Sequence, residues 1–448
     1  MIIGSGAREH ALSIAYERSP LVKEILATPG NDFMIFNRDK PVAIDKNCSL
    51  KDPNSLLDLA KKYSPDLIDV AQDDALAAGT VDLLKHNGFD VFGPTREAAR
   101  IEWDKAWSRE FMKRHSIPSP EYEIFSDHWK ASDYVEQVYD KDPTKFLYIK
   151  ASGLCGGKGA LEAVSLRSAL RIIREMADFE EAGETFLVEE GLFGDEFSYF
   201  AITDGTNCRF FSSAKDYKRL KTNDAGPQTG GMGAISPTLI TRGLEEYIQQ
   251  ELIQKAIDGL RQEGNPFTGI LYLGGIITPK KEVKVIEYNA RWGDPECQAV
   301  LPGLKDDYCE AVLASLEGKL NEVEFRFNDK VRVCVVGVAN GYPYDYSENI
   351  GNKIVGINNA RSIKGVQVLG AGMEVSFDST QVSGGRLLSV VGEGEDVIHA
   401  RERAYKAIKQ IAIVDEKSKV LNGEFYYRED IGKKDEALYK PGLFHLKK

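Results

Sequence analysis

The sequence predicts a multidomain protein of the α/β and α+β classes, and three observations carry that prediction. Residues 1 to about 93 alternate short apolar strands with amphipathic helices, a pattern typical of a parallel sheet with crossover helices. Residues 117–120 (Ile-Pro-Ser-Pro) then interrupt a helical period and indicate a hinge. Residues 326–448 contain apolar β runs and one helix near 395–412, so we expect a separate, small α+β unit.

The first unit is expected to span residues 1–103. Its predicted strands lie at 2–3, 25–28, 42–44, 67–71 and 89–92, and its predicted helices at 7–19, 53–63 and 74–86. Asp52 and Pro53 provide a cap and a first-turn proline for one of these helices. The first strand, with only three residues before the turn at Gly4, is expected to be stunted or to lack its start.

The second unit is expected to span residues 104–325. A helix over 97–115 leads into a small lobe at about 120–190, which reads as strand, helix, strand, glycine loop, strand, helix, strand. Beyond it we expect a long loop at 215–237, a helix at 241–263 and a strand pair at 267–278 and 282–291.

Composition excludes several classes of protein. The 448 residues carry a net charge of -12, which argues against a nucleic-acid or anionic-membrane partner because such surfaces attract Lys and Arg. The 6 cysteines lie far apart without a Cys-x-x-Cys pair, so neither a zinc site nor a disulfide framework is expected. No apolar run is long enough for a membrane span, and no secretion signal is recognisable. A reduced, cytoplasmic setting fits these features best.

The segment 285–296 (VIEYNARWGDPE) is the most informative part of the chain. Strand alternation puts Glu287, Asn289 and Arg291 on one face. A carboxylate and an amide oxygen suit Mg²⁺ that keeps water and phosphates as its other ligands, and the arginine can neutralise an anion at that metal. The alternative is a face whose polar groups are solvated or paired with each other; the abrupt strand end at Gly293 to Pro295 favours an open cleft.

A glycine-rich segment follows a predicted strand that ends near Lys150. Four glycines within residues 153–159 let backbone N–H groups approach phosphate oxygens, and Lys150 and Lys158 flank them. The segment is not a P-loop, because Gly159 stands where a Ser or Thr would hold Mg²⁺. It is either a flap over nucleotide phosphates or a structural turn.

Three further segments are candidates of lower specificity. Residues 4–9 (GSGARE) follow a strand and open a helix, but Glu9 replaces the third glycine of a dinucleotide motif, leaving an anion site or an empty turn. Loop 215–237 is longer than a connection without a function usually is in a compact domain. This length indicates a lid over an active site, and disorder is the alternative. Residues 188–196 could present backbone groups to a base and a carboxylate to a ribose, or form an acidic turn. The six histidines show no metal spacing.

Together these residues resemble the phosphoribosylamine-glycine ligase (glycinamide ribonucleotide synthetase) family of the ATP-grasp superfamily. The resemblance covers nearly the whole chain and is most specific in the lid, at 226–233 (GPQTGGMG), and in the strand at 287–296. It implies a Rossmann-like N-terminal domain, a two-lobed ATP-grasp core and a C-terminal domain. It also implies that ATP activates glycine as an acyl phosphate, which 5-phosphoribosylamine then attacks in purine biosynthesis.

The resemblance assigns roles to individual positions. Catalytic roles fall to Lys150, Asp216 and Arg291, and metal binding, to Mg²⁺ or Mn²⁺, falls to Glu287 and Asn289. ATP binding is implied for Lys105, Lys150, Gly156, Gly157, Lys158, Gly159, Glu189, Glu190, Leu192 and Glu196. Substrate binding is implied for Gly6, Arg8, Glu9, Pro29, Gly30, Asn31, Asp73, Asp216, Lys218, Gly230, Gly231, Arg291, Gly293 and Asp294. The expected partners are small molecules, glycine and 5-phosphoribosylamine, for a monomer or weak homo-oligomer.

The chain departs from the family pattern at three places. Ala71-Gln72-Asp73 replaces the usual Gly-Pro-Glu, Ser152 replaces an aspartate in the flap, and Tyr217 replaces a histidine in the lid. These changes bear on fine substrate geometry. The sequence is also compatible with two rival functions: a sister ligase or biotin-carboxylase-like enzyme acting on another acid, and a non-catalytic nucleotide-binding protein.

Overall fold

The computed structural model describes residues 1–36, 38–376, 379–415 and 417–439. The N-terminal unit is the predicted parallel sheet, with strand order β3-β2-β1-β4-β5. Its elements are β1 (Ile2–Gly4), α1 (Ala7–Glu17), β2 (Ile25–Pro29), β3 (Val42–Ile44), α2 (Pro53–Tyr63), β4 (Ile68–Val70), α3 (Asp73–Ala77), α4 (Thr80–His86), β5 (Val91–Phe92) and α5 (Arg100–Trp103).

Two predicted helices of this region are each divided in two. The helix expected over 74–86 breaks at Gly79, whose φ of 83° a residue with a side chain adopts only at a cost. The helix expected over 97–115 breaks at Asp104, which leaves the helical conformation and accepts a hydrogen bond from the Trp107 N–H to cap the next helix. Apolar periodicity continues across both breaks, so it could not reveal them.

The small lobe has the predicted order of elements and forms an antiparallel sheet, β6-β9-β7-β8. Helix α6 (Lys105–Arg114) leads into it, and its elements are β6 (Tyr122–Phe125), α7 (His128–Lys141), β7 (Leu147–Ala151), β8 (Ala160–Ala163), α8 (Leu166–Glu175) and β9 (Phe186–Glu190). The glycine segment 153–159 joins β7 to β8 at one edge of this sheet.

The large lobe is built on a second antiparallel sheet, β11-β10-β16-β17. It contains β10 (Asp195–Asp204), β11 (Cys208–Phe210), β12 (Lys215–Asp216), β13 (Arg219–Lys221), β14 (Ala225–Gln228), β15 (Gly233–Ser236), α9 (Glu245–Tyr247), α10 (Lys255–Gln262), β16 (Thr268–Ile277), β17 (Val283–Asn289), α11 (Glu296–Val300) and α12 (Tyr308–Leu316). A π-helical stretch, Ile248–Gln254, connects α9 to α10.

The segment expected as a loop at 215–237 is mostly strand, which corrects that expectation. Strands β13 and β14 form a hairpin, while β12 and β15 pair with each other at the two ends of the segment. Strand β15 also pairs with β18 (Val331–Ala339) of the C-terminal unit. We call residues 215–237 the lid segment; its ends belong to the sheet of the neighbouring unit.

The strand pair β16 and β17 contains a β-bulge. Gly274 lies opposite Glu287 and Gly275 lies opposite Val285, so Ile286 is an extra residue in β17. The bulge changes which residues face the core: Val285 and Tyr288 are both buried there, although they are three positions apart. Ile286 and Glu287, neighbours in sequence, consequently line the same cleft.

The C-terminal unit is α+β, as expected. Its remaining elements are β19 (Lys353–Val355), α13 (Ile357–Arg361), β20 (Val366–Gly370), β21 (Met373–Ser376), β22 (Ser379–Val382), β23 (Arg386–Gly394), α14 (Val397–Ile408), β24 (Ala412–Val414) and β25 (Phe425–Tyr426). One sheet has the order β12-β15-β18-β23-β20 and the other β21-β22-β19-β24. Within the described residues, no helix has the length and apolarity needed to cross a membrane.

Candidate active site

Two neighbouring cavities lie between the small lobe, the large lobe and the lid segment, with volumes of about 240 Å³ and 150 Å³. They share walls from both lobes, including Lys105, Lys150, Glu287, Asn289 and Arg291. The larger cavity is also lined by Gly157, Gly159, Glu189, Glu190, Leu192, Glu196, Asp216, Lys218, Gly230, Gly293 and Asp294, and the smaller one by Asp73 and Gly156.

Lys150 and Glu189 form a buried charged group with Arg109. Glu189 accepts from Arg109 Nε at 2.7 Å and Nη2 at 3.0 Å, and its other contact is Lys150 Nζ at 2.6 Å. Burial opposes the charge of Glu189, but the two cations outweigh it and lower its pKa to about 2. The Glu189 carboxylate is therefore fully engaged by protein groups.

Lys105 begins α6 and reaches the base of the glycine segment. Its ammonium donates to the Gly153 carbonyl at 3.0 Å. Ser152 donates to Asp104 Oδ1 at 2.8 Å and accepts from the Ala106 N–H at 2.9 Å. The serine thus fastens the segment to the start of α6 instead of pointing into the cavity, and Gly156, Gly157 and Lys158 remain exposed at its tip.

Glu287 and Asn289 project from β17 beside Lys218. Lys218 Nζ lies 3.9 Å from Glu287 and 3.6 Å from Glu196. Burial raises the pKa of Glu287, but Lys218, Lys150 and other cations prevail and lower it, so the carboxylate stays ionised. The Nδ2 atom of Asn289 is buried without a hydrogen-bond partner. The ionised Glu287 carboxylate and the side-chain oxygen of Asn289 are both oxygen donors, which fit a hard divalent cation, while the Asn289 Nδ2 is an N–H donor that would not ligate one.

Arg291 lies just beyond the end of β17 and keeps the predicted direction into the cavities. Its Nη2 atom contacts Glu102 at 2.7 Å and lies 3.9 Å from Asp73. Its Nη1 atom donates to the Trp292 carbonyl at 3.1 Å, and its Nε atom has no partner. The guanidinium is thereby fixed at two of its three nitrogens.

Asp216 is a buried carboxylate in the larger cavity. Burial and the nearby Glu296 raise its pKa well above the ordinary value, while Lys218 acts in the opposite direction. Glu296 itself accepts from the Ser198 hydroxyl at 2.9 Å. A carboxylate with a raised pKa can accept a proton near neutral pH.

Arg386 of the C-terminal unit donates hydrogen bonds both to the lid segment and to Asp294. Arg386 Nη2 donates to Asp294 Oδ2 at 3.0 Å, and Nη1 donates to the carbonyls of Gly230 and Asp294 at 2.5 and 3.1 Å. Gln298 donates to the other Asp294 oxygen at 2.6 Å. Glycine is required at the neighbouring Gly231, where φ is 105° and a Cβ would collide with Pro295.

The N-terminal turn is internally bonded. The Gly6 N–H donates to Glu9 Oε2 at 2.7 Å, so the carboxylate of Glu9 already occupies part of the helix terminus expected to hold an anion. Arg8 Nε contacts Glu9 at 2.5 Å, and Arg8 Nη1 donates to the Trp292 carbonyl at 3.1 Å. The side-chain Nδ2 of Asn31 donates hydrogen bonds to the carbonyls of Ser5 and Gly370.

The structure therefore brings together most, but not all, of the predicted site residues. Eight lie outside the walls of the two cavities: Gly6, Arg8, Glu9, Pro29, Gly30, Asn31, Lys158 and Gly231. Tyr217, the third departure from the family pattern, directs its hydroxyl away from the cavities to Asp435 Oδ2 at 2.5 Å. Sequence reasoning assigned no role to Glu102, Arg109, Tyr272 or Glu296; Glu296 ends the segment 285–296, but no motif or spacing marks the other three.

Two adjoining cavities between two lobes, each lobe built on an antiparallel sheet, with Lys105 and Lys150 facing the oxygens of Glu287 and Asn289, define an ATP-grasp enzyme. Solved structures agree at the level of fold. The biotin carboxylase domain of Hydrogenobacter thermophilus 2-oxoglutarate carboxylase, crystallised with MgADP and bicarbonate, has a TM-score of 0.69 at 16% identity and covers 92% of this chain and 90% of its own.

The chain belongs to the phosphoribosylglycinamide synthetase family. Models of that family's N domain, ATP-grasp (A) domain and C domain match residues 1–102, 103–297 and 332–434. The chain is 40% identical to phosphoribosylamine–glycine ligase of Chlorobaculum tepidum over 97% of its length and 99% of the relative's. It is 36% identical to the Haemophilus influenzae enzyme, covering 96% and 97%. The crystal structure of the Thermotoga maritima enzyme has a TM-score of 0.77 at 28% identity, covering 96% and 99%.

Proposed function

We propose that this chain joins glycine to 5-phosphoribosylamine with ATP, giving glycinamide ribonucleotide, ADP and phosphate. The observation that carries the proposal is one cleft in a chain of this family. The cleft combines the cations Lys105, Lys150, Lys218 and Arg291 with the carboxylates Asp216 and Glu287. The cations suit a triphosphate, and the carboxylates suit a metal and a proton acceptor.

The chemistry requires activation of the glycine carboxylate, because a carboxylate does not react with amines near neutral pH. A carboxylate oxygen attacks the γ-phosphorus of ATP; a P–O bond forms to glycine and the bond to ADP breaks. Lys150 and Arg291 stabilise the negative charge of this transfer. The amine of phosphoribosylamine then attacks the acyl carbon, a C–N bond forms, and phosphate leaves.

The second step releases a proton from the attacking amine. Asp216 is the acceptor we propose, because burial and Glu296 raise its pKa. Asp73, Lys218, Gly230, Gly293 and Asp294 would border the substrates, with the turn at Gly6–Glu9 and the segment 29–31 beside the phosphoribosyl group. Residues 189–192 would contact adenine and Glu196 the ribose, while the segment 156–159, exposed at residues 156–158, would cover the phosphates.

Glu287 and Asn289 would hold a divalent cation, Mg²⁺ or Mn²⁺. When bound, such a cation neutralises phosphate charge and orients the phosphates for transfer. We further propose domain boundaries at 103/104 and 325/326, a cytoplasmic location, and a monomer or weak homo-oligomer that acts on small molecules and binds neither nucleic acid nor membrane.

The test is an assay of ADP, phosphate and glycinamide ribonucleotide with each substrate omitted in turn. We expect product only when glycine and phosphoribosylamine are both present, with one ADP per product. Alanine should be a poor substitute, because its methyl group must enter a pocket shaped for a hydrogen. Robust activity with another acid or amine, and none with this pair, would reassign the protein to a sister ligase.

A further inference from the structure

Glu102 is a buried carboxylate at the junction between the N-terminal unit and the core, and nothing in the chemistry above uses it. It lies in α5, and its side chain is 6% exposed. One of its oxygens, Oε1, lies 2.7 Å from Arg291 Nη2. The other, Oε2, accepts the Ala290 backbone N–H at 2.8 Å. The single carboxylate therefore binds both the main chain and the side chain at the end of β17.

We propose that Glu102 is a positioning residue for the proposed ligation, acting through Arg291. A guanidinium stabilises a transferring phosphoryl group only when its N–H groups point at the charge that develops. Glu102 and the Trp292 carbonyl hold two nitrogens of Arg291, so the rotation of the guanidinium is fixed. The bond to Ala290 fixes the backbone between Asn289 and Arg291 at the same time.

The position of Glu102 in the chain supports this role. Two residues later Asp104 receives the Ser152 hydroxyl, and Lys105 contacts the Gly153 carbonyl. The short segment 102–105 thus contacts the glycine segment of the small lobe at one end and the end of β17 at the other. Because the two contacts lie on opposite walls of the cavity, this segment sets the distance between Arg291 and the exposed glycine segment.

Other ionisable groups around Glu102 define its charge. Burial raises its pKa to about 7, Asp73 adds to that rise, and Arg291 and Arg8 oppose it. The environment therefore offers little net stabilisation of the ionised carboxylate apart from its cationic neighbours. Arg291 keeps the Trp292 carbonyl and, at 3.9 Å, the Asp73 carboxylate as partners, so a neutral side chain of equal size at position 102 should be tolerated by the fold, although it removes the charge that orients Arg291.

The experiment compares Glu102→Gln with the wild type. We expect kcat to fall about ten- to a hundredfold, the range seen when a residue behind a functional side chain is removed. The KM for ATP and the melting temperature should change little, because the amide keeps the volume and can still accept from Ala290. Glu263→Gln is the matched control: this carboxylate also binds an arginine, Arg114, but lies outside the cavities, so kcat should be unchanged.

A double-mutant cycle with Arg291→Lys makes the test decisive. The lysine keeps the charge but lacks the planar fork that Glu102 orients. If Glu102 acts through Arg291, adding Glu102→Gln to Arg291→Lys should lower kcat by less than about twofold. Independent, multiplicative losses would overturn the proposal, as would a fall in melting temperature that accounts for the lost activity. Should Glu102→Gln fail to fold, Glu102→Asp, which can reach only one of the two partners, gives the same comparison.

This inference rests on the proposed function, but different experimental results would contradict each of them. If the wild type does not join glycine to phosphoribosylamine, the proposed function is wrong. The same cycle can then be measured on whichever acid stimulates ADP formation. If the wild type makes glycinamide ribonucleotide and Glu102→Gln does so at the wild-type rate, only the positioning role is wrong.

Discussion

At the scale of single residues, the site is built from buried charges that compensate each other. Glu189 is held by Arg109 and Lys150, and Glu287 faces Lys218 at a longer distance of 3.9 Å. In the first group the three side chains already compensate each other's charges. In the second, the wider gap between Glu287 and Lys218 leaves space for a ligand. We therefore expect substitutions of Glu189 to affect stability and substitutions of Glu287 to affect chemistry.

Replacing Glu287 by Gln should raise the concentration of Mg²⁺ needed for half-maximal activity and lower turnover by about a hundredfold or more, because a charged oxygen ligand becomes a neutral one. Mg²⁺ titrations of activity and of nucleotide affinity provide the measurement. Glu282→Gln, on the exposed end of the same hairpin, should leave both unchanged. An unaltered Mg²⁺ dependence in Glu287→Gln would refute the metal assignment.

His10 should make stability depend on pH. Its Nδ1 accepts the Gly370 N–H at 3.1 Å, and burial, with Arg38 and Arg361 nearby, lowers its pKa to about 3. The folded protein therefore keeps His10 neutral, and this contribution is present above the unfolded pKa of about 6.5 and is lost as pH falls below it.

The free energy of unfolding should fall by about 1.4 kcal/mol for each pH unit as the pH decreases from 6.5 to the pKa of His10 in the folded protein. Urea unfolding between pH 7.5 and 5 should show a shallower pH dependence for His10→Gln than for the wild type. The exposed His86→Gln serves as the control. Equal slopes in the wild type and His10→Gln would contradict the assignment.

At the scale of elements, the glycine segment and the lid segment are attached differently. The glycine segment is held at its base by Ser152, and its tip, with Gly156 and Gly157 at positive φ, has no neighbours that a Cβ would meet. The lid segment is held at both ends by strand pairing. Closure over a nucleotide is therefore expected to come from the glycine segment.

Hydrogen exchange should detect this closure. We expect backbone amides at 153–159 to exchange rapidly in the free protein and more slowly with a non-hydrolysable ATP analogue, because phosphate contacts would fix a backbone that glycine leaves free. The amides of β7 provide an internal control that should remain protected throughout. Equal protection of the segment with and without the analogue would identify it as a rigid turn.

The local sequence predicted helices and strands well where the apolar residues recur with one regular spacing, either that of a helix or that of a strand. The parallel N-terminal sheet and the order of the small lobe follow from apolar alternation. The breaks at Gly79 and Asp104, the strands within the lid segment and the bulge at Ile286 were missed. Each of these depends on a backbone conformation or a pairing partner that hydrophobic periodicity does not encode.

At the scale of the whole molecule, the C-terminal unit secures the lid segment through Arg428. Its side chain is completely buried and donates to Asp430, to Asp224 and to the Arg219 carbonyl. Its guanidinium also lies 5.2 Å from the centre of the Tyr217 ring. The two chain neighbours of Lys218 are thus both in contact with one residue of the C-terminal unit.

Replacing Arg428 by Met should destabilise the protein by about 3 kcal/mol, because Asp430 would remain buried without its cation. Lys434→Met is the matched control: Lys434 pairs with the same Asp224 at 2.7 Å from an exposed position, so its loss should cost less than about 1 kcal/mol. Denaturant unfolding gives both values. Similar small losses in the two variants would mean that Arg428 does not secure the lid segment.

The contacts that join the three units could not be predicted from the sequence. Arg386 and Asp294 are separated by 92 residues, and Glu102 and Ala290 by 188. Glu287, Asn289 and Arg291 could be placed together because they alternate along one short segment, β17 and the two residues that follow it. Glu102 and Arg386 could not, since only the packing of separate units brings each to its partner.

The extra residue in β17 has a consequence for how this protein tolerates deletions. Removing one residue from a regular strand exchanges its two faces from that point onward. Removal of Ile286 would instead leave Val285 and Glu287 as alternating neighbours, with Tyr288 still directed to the core and Asn289 to the cleft. The main loss would be the Ile286 carbonyl, which accepts from Arg109 Nη2 at 2.6 Å. A chain shortened at this one position should therefore keep its core and its metal-facing side chains while losing part of the support behind Glu189.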